Sequence, residues 1–303
     1  MLCGIVEPVV EGQVPAPPYG TDTIISSPRP YAESVLTTVN GIAFAPGGRT
    51  LYVSRWVDGL DYRGRRRTRI FAHHFVDGQW SAAEPVSFSR EFTDYQPVLS
   101  PDGSRLFFTS TRPLPGTDTE TRQNIWYVDG TGGMWGPPQI VENLATPGWD
   151  GYAVPTRRGR LYFVSDRPGG RGAVDIWVAD TTADGRYGEP VNVTALNSEH
   201  SDSDIFVDPE ERYVIFHRSV EATRTVEFWI AFGAAGDWRA PRLLEEVNGP
   251  GWELSPTVPP DGRYLFFNRD SVILQVDFCA LIRTQERRFL QEFNDRRPVC
   301  PAP

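Results

Sequence analysis

A five-bladed β-propeller is the fold this sequence predicts, and three observations predict it. Five apolar hairpins recur along the chain: GIAFAPGGRTLYVSR (41–55), QPVLSPDGSRLFFTSTR (96–112), YAVPTRRGRLYFVSDR (152–167), DIFVDPEERYVIFHR (204–218) and PTVPPDGRYLFFNR (256–269). Their spacing of roughly 50 to 55 residues is a propeller or solenoid period in a β-type sequence. The chain also carries 28 Gly, 27 Pro and 12% aromatic residues, a composition for turns and strands rather than helices.

Each hairpin reads as a short apolar strand, a tight turn and a second apolar strand that ends in polar residues and Arg. Proline fits the first turn position and glycine the left-handed one. A third strand follows every hairpin: RIFAHHF (69–75), NIWYV (124–128), DIWVA (175–179), VEFWIAF (226–232) and VILQVDF (272–278). Four copies continue with an aromatic and a proline, WSAAEP (80–85), WGPP (135–138), YGEP (187–190) and WRAP (238–241), and then a more polar fourth strand. Four antiparallel strands make one blade. The fifth copy has no such fourth strand. DTIISSPRPYAES (22–34) stands before the first hairpin as outer strands stand before the others, so the N-terminal strand is expected to close the ring and remove its edges. A sixth, degenerate blade is the alternative. Residues 1–21 read as an extension, 22–282 as one propeller domain and 283–303 as a tail, with a short helix over 283–295 from Phe289, Leu290 and Phe293.

The repeat pattern P-D-G-x-x-L-[YF]-F-x-S-x-R-P-G-G-x-G-x-x-D-I-[WY]-V resembles the WD40-like (PD40) repeats of TolB-type propellers. The W-G-x-P element and VNVTALNSEHSD (191–202) are similar to bacterial exported propellers. The resemblance covers most of residues 40–280. It implies the fold and an exported binding module, periplasmic or secreted, and implies little about activity, because propellers host many functions.

The net charge is −9, and every one of the 30 basic residues is Arg. An acidic chain argues against nucleic acid as partner, and RGRRRTR (63–69) reads as a solvated hairpin loop. No apolar run is long enough to span a membrane, and no signal peptide is visible at the start, MLCG. The three cysteines, Cys3, Cys279 and Cys300, have no metal-ligand spacing; a Cys279–Cys300 bridge would staple the Pro-rich tail. No metal and no cofactor are expected, since nucleophile-elbow, zincin, P-loop and EF-hand patterns are all missing.

Charged residues recur at one end of the blades. Asp94, Asp150, Asp202 and Glu253 precede the inner strands, where blade one has Val39 instead. Arg55, Arg112, Arg167, Arg218 and Arg269 end the second strands. Antiparallel pairing brings the two sets together as a belt at one mouth of the channel. Such a belt reads as ties between blades, with Arg112, Arg218 and Arg269 also available to a ligand. Trp149, Trp252 and Tyr95 lie at similar heights and suit sugar rings, peptide side chains or cations. Blade four departs most from the repeat: His200 and His217 accompany Asp202 and Arg218. His73 and His74, adjacent on a strand, face opposite sides.

Two functions follow. One is binding of a protein, peptide, glycan or small molecule over the channel mouth. The other is an enzyme of glycosidase, lyase, lactonase or cyclase type, with His217, His200, Asp202, Glu253, Asp94 and Asp150 as candidate catalytic groups. Any ligand is expected off-axis toward blade four.

Overall fold

The computed structural model describes residues 18–20, 24–32, 34–36 and 39–282. It is a five-bladed propeller of antiparallel sheets. The inner strands are Val39–Phe44, Asp94–Leu99, Asp150–Pro155, Ser201–Val207 and Glu253–Thr257. Each pairs with the next strand of its hairpin, and that strand pairs with the third.

The hairpins are apolar without alternation because both faces of each blade are buried. Successive side chains of a strand point to opposite faces. In blade two, Phe108 and Trp126 pack on Tyr52, Ile70 and Ala72 of blade one. Their neighbours Phe107 and Ile125 pack the other way, on Leu161, Phe163 and Trp177 of blade three. Five such clusters fill the five interfaces between blades.

The aromatic residue of the aromatic–proline element also belongs to an interface. The Trp80 indole donates to the Tyr31 hydroxyl at 2.9 Å, and the Trp135 indole to the Tyr52 hydroxyl at 3.2 Å. The Trp238 ring meets Tyr162 edge-on at 6.1 Å. Each of these tryptophans reaches a tyrosine of the preceding blade. Burial pushes the Tyr162 phenol up to about 12.

Ring closure follows the sequence reading, and there are five blades rather than six. Arg29–Pro30 pairs with Val272–Asp277, with Arg29 opposite Gln275 and Pro30 opposite Leu274. Proline is tolerated there because the strand is outermost and has no further ladder to serve. Tyr31 N donates to Ile273 O at 2.8 Å, Asp277 N to Ile25 O at 2.9 Å, and the Gln275 amide to Tyr19 O at 2.8 Å. Tyr19, Ile25 and Leu36 are buried in the interface of blades five and one.

The turn after the inner strand uses its glycines as expected: Gly48, Gly103 and Gly262 have φ of 70°, 74° and 70°. Blade four has Glu211 there, at φ 57°. Its buried carboxylate accepts from Thr156 Oγ1 at 2.8 Å and from Arg160 Nη1 at 2.9 Å, both in blade three. That contact holds a non-glycine residue in the left-handed region. In blade two the turn is fixed by Asp102, which accepts from Ser100 Oγ at 2.5 Å, Ser104 N at 3.0 Å and Ser104 Oγ at 2.8 Å. These bonds hold its carboxyl at about 2, below the ordinary 3.8. A carboxylate depressed in the folded state contributes stability above about pH 4 and loses it as the pH falls toward about 2. Asp102→Ala is therefore expected to flatten the acid limb of a plot of melting temperature against pH, with little change near neutrality beyond a constant offset.

Residues 278–282 turn helical, and no helix among the described residues is long and apolar enough to cross a membrane. Cys279 is disulfide-bonded. Cys3, Cys300 and the expected helix at 283–295 lie outside the described residues.

Candidate functional site

The belt forms, but it is sealed. Asp94 pairs with Arg112, Asp150 with Arg167 at 2.8 Å, Asp202 with Arg218 at 2.6 Å, and Glu253 with Arg269 at 2.9 Å. All four acids are fully buried. The guanidiniums also hold carbonyls of the segments that lead into their blades: Phe88, Leu144, Leu196 and Val247. Arg112 lies over the rings of Phe108 and Trp126, Arg167 over Phe163 and Trp177, and Arg218 over Phe216 and Trp229. The carboxylates accept further bonds from the same segments, such as Ser89 Oγ on Asp94 at 2.7 Å and Thr146 Oγ1 on Asp150 at 2.6 Å. Every belt acid is thus committed to joining a blade to the segment before it.

The other sequence candidates scatter. Trp149 is half-buried and donates to the Tyr95 hydroxyl at 3.2 Å. Trp252 is exposed. His200 lines a shallow surface depression between Arg171 of the blade-three loop and Arg218 of blade four. His217 does not reach Asp202. Register places Asp202 opposite Arg218 and Ser203 opposite His217, and the imidazole Nδ1 lies 3.4 Å from Asp204 Oδ2 instead. His73 and His74 do face opposite sides: His73 is buried with Nδ1 2.8 Å from Ser81 O, and His74 Nδ1 meets Thr50 Oγ1 at 3.2 Å.

Asp204 belongs to a ring the sequence reading missed. Every inner strand carries a β-bulge just after the belt position. The bulged residues Gln96, Tyr152, Asp204 and Ser255 have φ of 51°, 52°, 45° and 55°. A left-handed non-glycine residue costs about 1–3 kcal/mol and persists only where its surroundings impose it. Here the bulge re-aims the side chain toward the propeller axis. Blade one contributes Gly41 at the matching place. A Cβ there would stand 2.5 Å from Gln96 Oε1, so glycine makes room for the Gln96 side chain.

These residues form a floor across the channel. The Gln96 amide donates to Ser255 Oγ, and Ser255 Oγ donates to Asn40 O at 2.7 Å. Ser255 N donates to Asp204 Oδ2 at 3.0 Å. Tyr152 stands against Tyr95 and Trp149, with ring centroids 5.8 and 5.5 Å away. Burial, followed by the Asp204 charge, holds the Tyr152 phenol well above its ordinary value. Two buried polar atoms at the floor have no hydrogen-bond partner: Asp204 Oδ1 and His217 Nδ1.

Beyond the floor a cavity of about 460 Å³ runs to the hairpin turns on the face opposite the belt. Its walls are Ile42, Pro97, Val98, Val154, Ile205 and Pro256, and its rim carries ion pairs such as Arg157–Glu210 at 3.3 Å. Apolar walls above a few convergent polar groups are the usual form of a small-molecule site. Asp204 is the one carboxylate in the ring of bulged residues. Among the described residues no group of three His, Cys, Asp or Glu is placed to hold a metal ion.

No family model matches the chain, and no curated protein matches its sequence. Solved structures do. The endo-arabinase of Bacteroides thetaiotaomicron VPI-5482 superposes with a TM-score of 0.52 at 13% identity, over 86% of this chain and 98% of that one. The gluconolactonase XC5397 of Xanthomonas campestris gives 0.47 at 14% identity, over 84% and 96%. At these identities the likeness is one of fold: the chain is similar to known β-propeller proteins.

Proposed function

We propose that this chain is a binding propeller that takes a small molecule rich in hydroxyl or amine donors into its central channel, seated on the Asp204 carboxylate. One observation carries the reading. Asp204 Oδ1 is buried at the foot of a 460 Å³ cavity with no donor in hydrogen-bond geometry, the Tyr152 phenol being the side chain that faces the carboxylate. A buried carboxylate oxygen left unmatched is costly and rare, and a ligand hydroxyl or ammonium satisfies it. The apolar walls suit the body of such a ligand. The resemblance to PD40 repeats supports an exported location, periplasmic or secreted, for this binding role.

A second reading gives the same floor a catalytic role, and the proximity of His217 to Asp204 favours it: a His beside a carboxylate is a competent general base. The lactonase and lyase types fit a single acid. A glycosidase of the two-carboxylate kind needs a pair about 5 to 9.5 Å apart, and the ring supplies one.

The test is a thermal-shift screen with choline, putrescine, glucose and glycerol, followed by calorimetry on Asp204→Asn. A hit is expected to bind the variant about 10–100-fold more weakly, the weight of a charge-assisted bond of about 1.5–3 kcal/mol. His217→Ala in the same assay leaves affinity within a few-fold if the floor only binds. Equal affinity of wild type and Asp204→Asn for every hit refutes the site.

A further inference from the structure

The belt breaks its pattern in one blade, and the break concerns charge. Four blades seat a guanidinium on a buried carboxylate. Blade one keeps the guanidinium, Arg55, but has Val39 in place of the acid. Arg55 still reaches the carbonyl of the segment entering its blade, here Val35 O, so the local geometry is that of the other four. The carboxylate half of the tie is what differs.

A second cation sharpens the imbalance. Arg69 stands directly opposite Arg55 across the strand pair. Directly opposed side chains share a face with Cβ atoms about 4.5–5.5 Å apart, where like charges repel. Both residues are half-buried, and neither has an acidic partner among the described residues. The Nε–H of each is buried without an acceptor. Burial alone pushes the Arg55 guanidinium below its ordinary value. Two partly desolvated guanidiniums on one face, each with an idle donor, are what a planar bidentate acceptor fits.

We propose that Arg55 and Arg69 form a carboxylate-binding site at the belt end of blade one, where a ligand carboxylate beside the buried Val39 supplies the anion that Asp94, Asp150, Asp202 and Glu253 supply in the other blades. The site is independent of the channel floor. It lies on the opposite side of the bulge ring and shares no residue with the cavity. Because the chain's own acids match the equivalent guanidinium four times over, the chemistry of the pairing is already present in the molecule. The ligand need supply only two oxygens.

The experiment is a thermal melt of the full chain in sodium acetate against sodium chloride at equal ionic strength, with a triglutamate peptide, amidated at its C-terminus, as a second arm. Carboxylate is expected to raise the melting temperature by about 2 °C or more once it exceeds its Kd about tenfold. A response to acetate at millimolar levels with none from the peptide assigns the site to small acids; a peptide response at lower concentration assigns it to acidic side chains. Val39→Asp installs the tie and is expected to abolish the response. Should that variant fail to fold, Arg69→Gln must abolish it instead. Glu33→Gln, altered two residues along the chain from Val35, separates an external carboxylate from the chain's own. The proposal is overturned if acetate and peptide act no differently from chloride, if Val39→Asp or Arg69→Gln responds like the wild type, or if only Glu33→Gln responds.

Discussion

Arg112→Ala is expected to lower folding stability by about 3–5 kcal/mol, the cost of leaving one member of a buried ion pair without the other. Its partner Asp94 is fully buried. Burial already pushes that carboxyl above its ordinary value, against the pull of Arg112 and of the Ser110 and Ser89 hydroxyls. Without the guanidinium the acid must either stay charged in an apolar interface or take a proton. The Phe88 carbonyl loses a donor at the same time, and the rings of Phe108 and Trp126 lose the cation above them. Denaturant unfolding reads the loss as a lower midpoint at unchanged slope. Two comparisons isolate the cause. Arg186→Ala, which breaks an exposed pair with Asp184, is expected to change stability by less than about 0.5 kcal/mol. The double replacement Asp94→Leu with Arg112→Met is expected to cost less than Arg112→Ala alone, since no charge is then left buried. If the single and double variants are equally unstable, the pair matters only as filler.

The belt was legible in the sequence because it obeys two simple rules. Acid and arginine recur at fixed places in each hairpin, and antiparallel pairing puts those places side by side. Blade count and closure were legible for a similar reason: the Pro-Asp-Gly hairpins repeat, and residues 22–34 stand where an outer strand is wanted. The floor was not legible. Strict alternation along the inner strand gives no reason to aim Gln96, Tyr152, Asp204 and Ser255 at the axis. A bulge with a left-handed residue breaks that alternation, and neither Tyr nor Gln announces a left-handed conformation. His217 is kept from Asp202 by alternation, because it stands opposite Ser203, one residue before the bulge. One extra residue after Ser203 leaves Asp204 beside the imidazole, while Asp202 stays with Arg218. When the five hairpins are aligned, the second position after the belt residue reads Gly, Gln, Tyr, Asp and Ser, but the position before it varies as widely, Asn, Tyr, Gly, Ser and Leu, so the variation does not single the floor out.

Deleting residues 1–35 is expected to cost more than any point substitution, and to make the chain associate beyond the state of the full-length protein. The deletion removes the outer strand of blade five, so Val272–Asp277 loses the Arg29–Pro30 ladder and becomes a sheet edge. It also strips two buried side chains, Tyr19 and Ile25, from the interface of blades five and one. Truncation of a buried aromatic or aliphatic side chain costs about 2–5 kcal/mol each. Tyr19 meets Phe44 at 4.8 Å and Phe266 at 5.8 Å between ring centroids, so its loss opens both blades together. Trp80 loses the Tyr31 hydroxyl in the same step. An exposed edge with Ile273, Leu274 and Val276 beside it is a template for pairing with a second copy. Sedimentation is expected to show species larger than the full-length protein forms, and the melting temperature to fall by roughly 10 °C or more. A synthetic peptide of residues 18–36, added in trans, is expected to reverse that association by adding the missing strand. Recovery by the peptide ties the defect to the edge itself. A truncated chain that associates no further than the full-length protein, with an unchanged melting temperature, shows that the ring does not depend on this strand for closure.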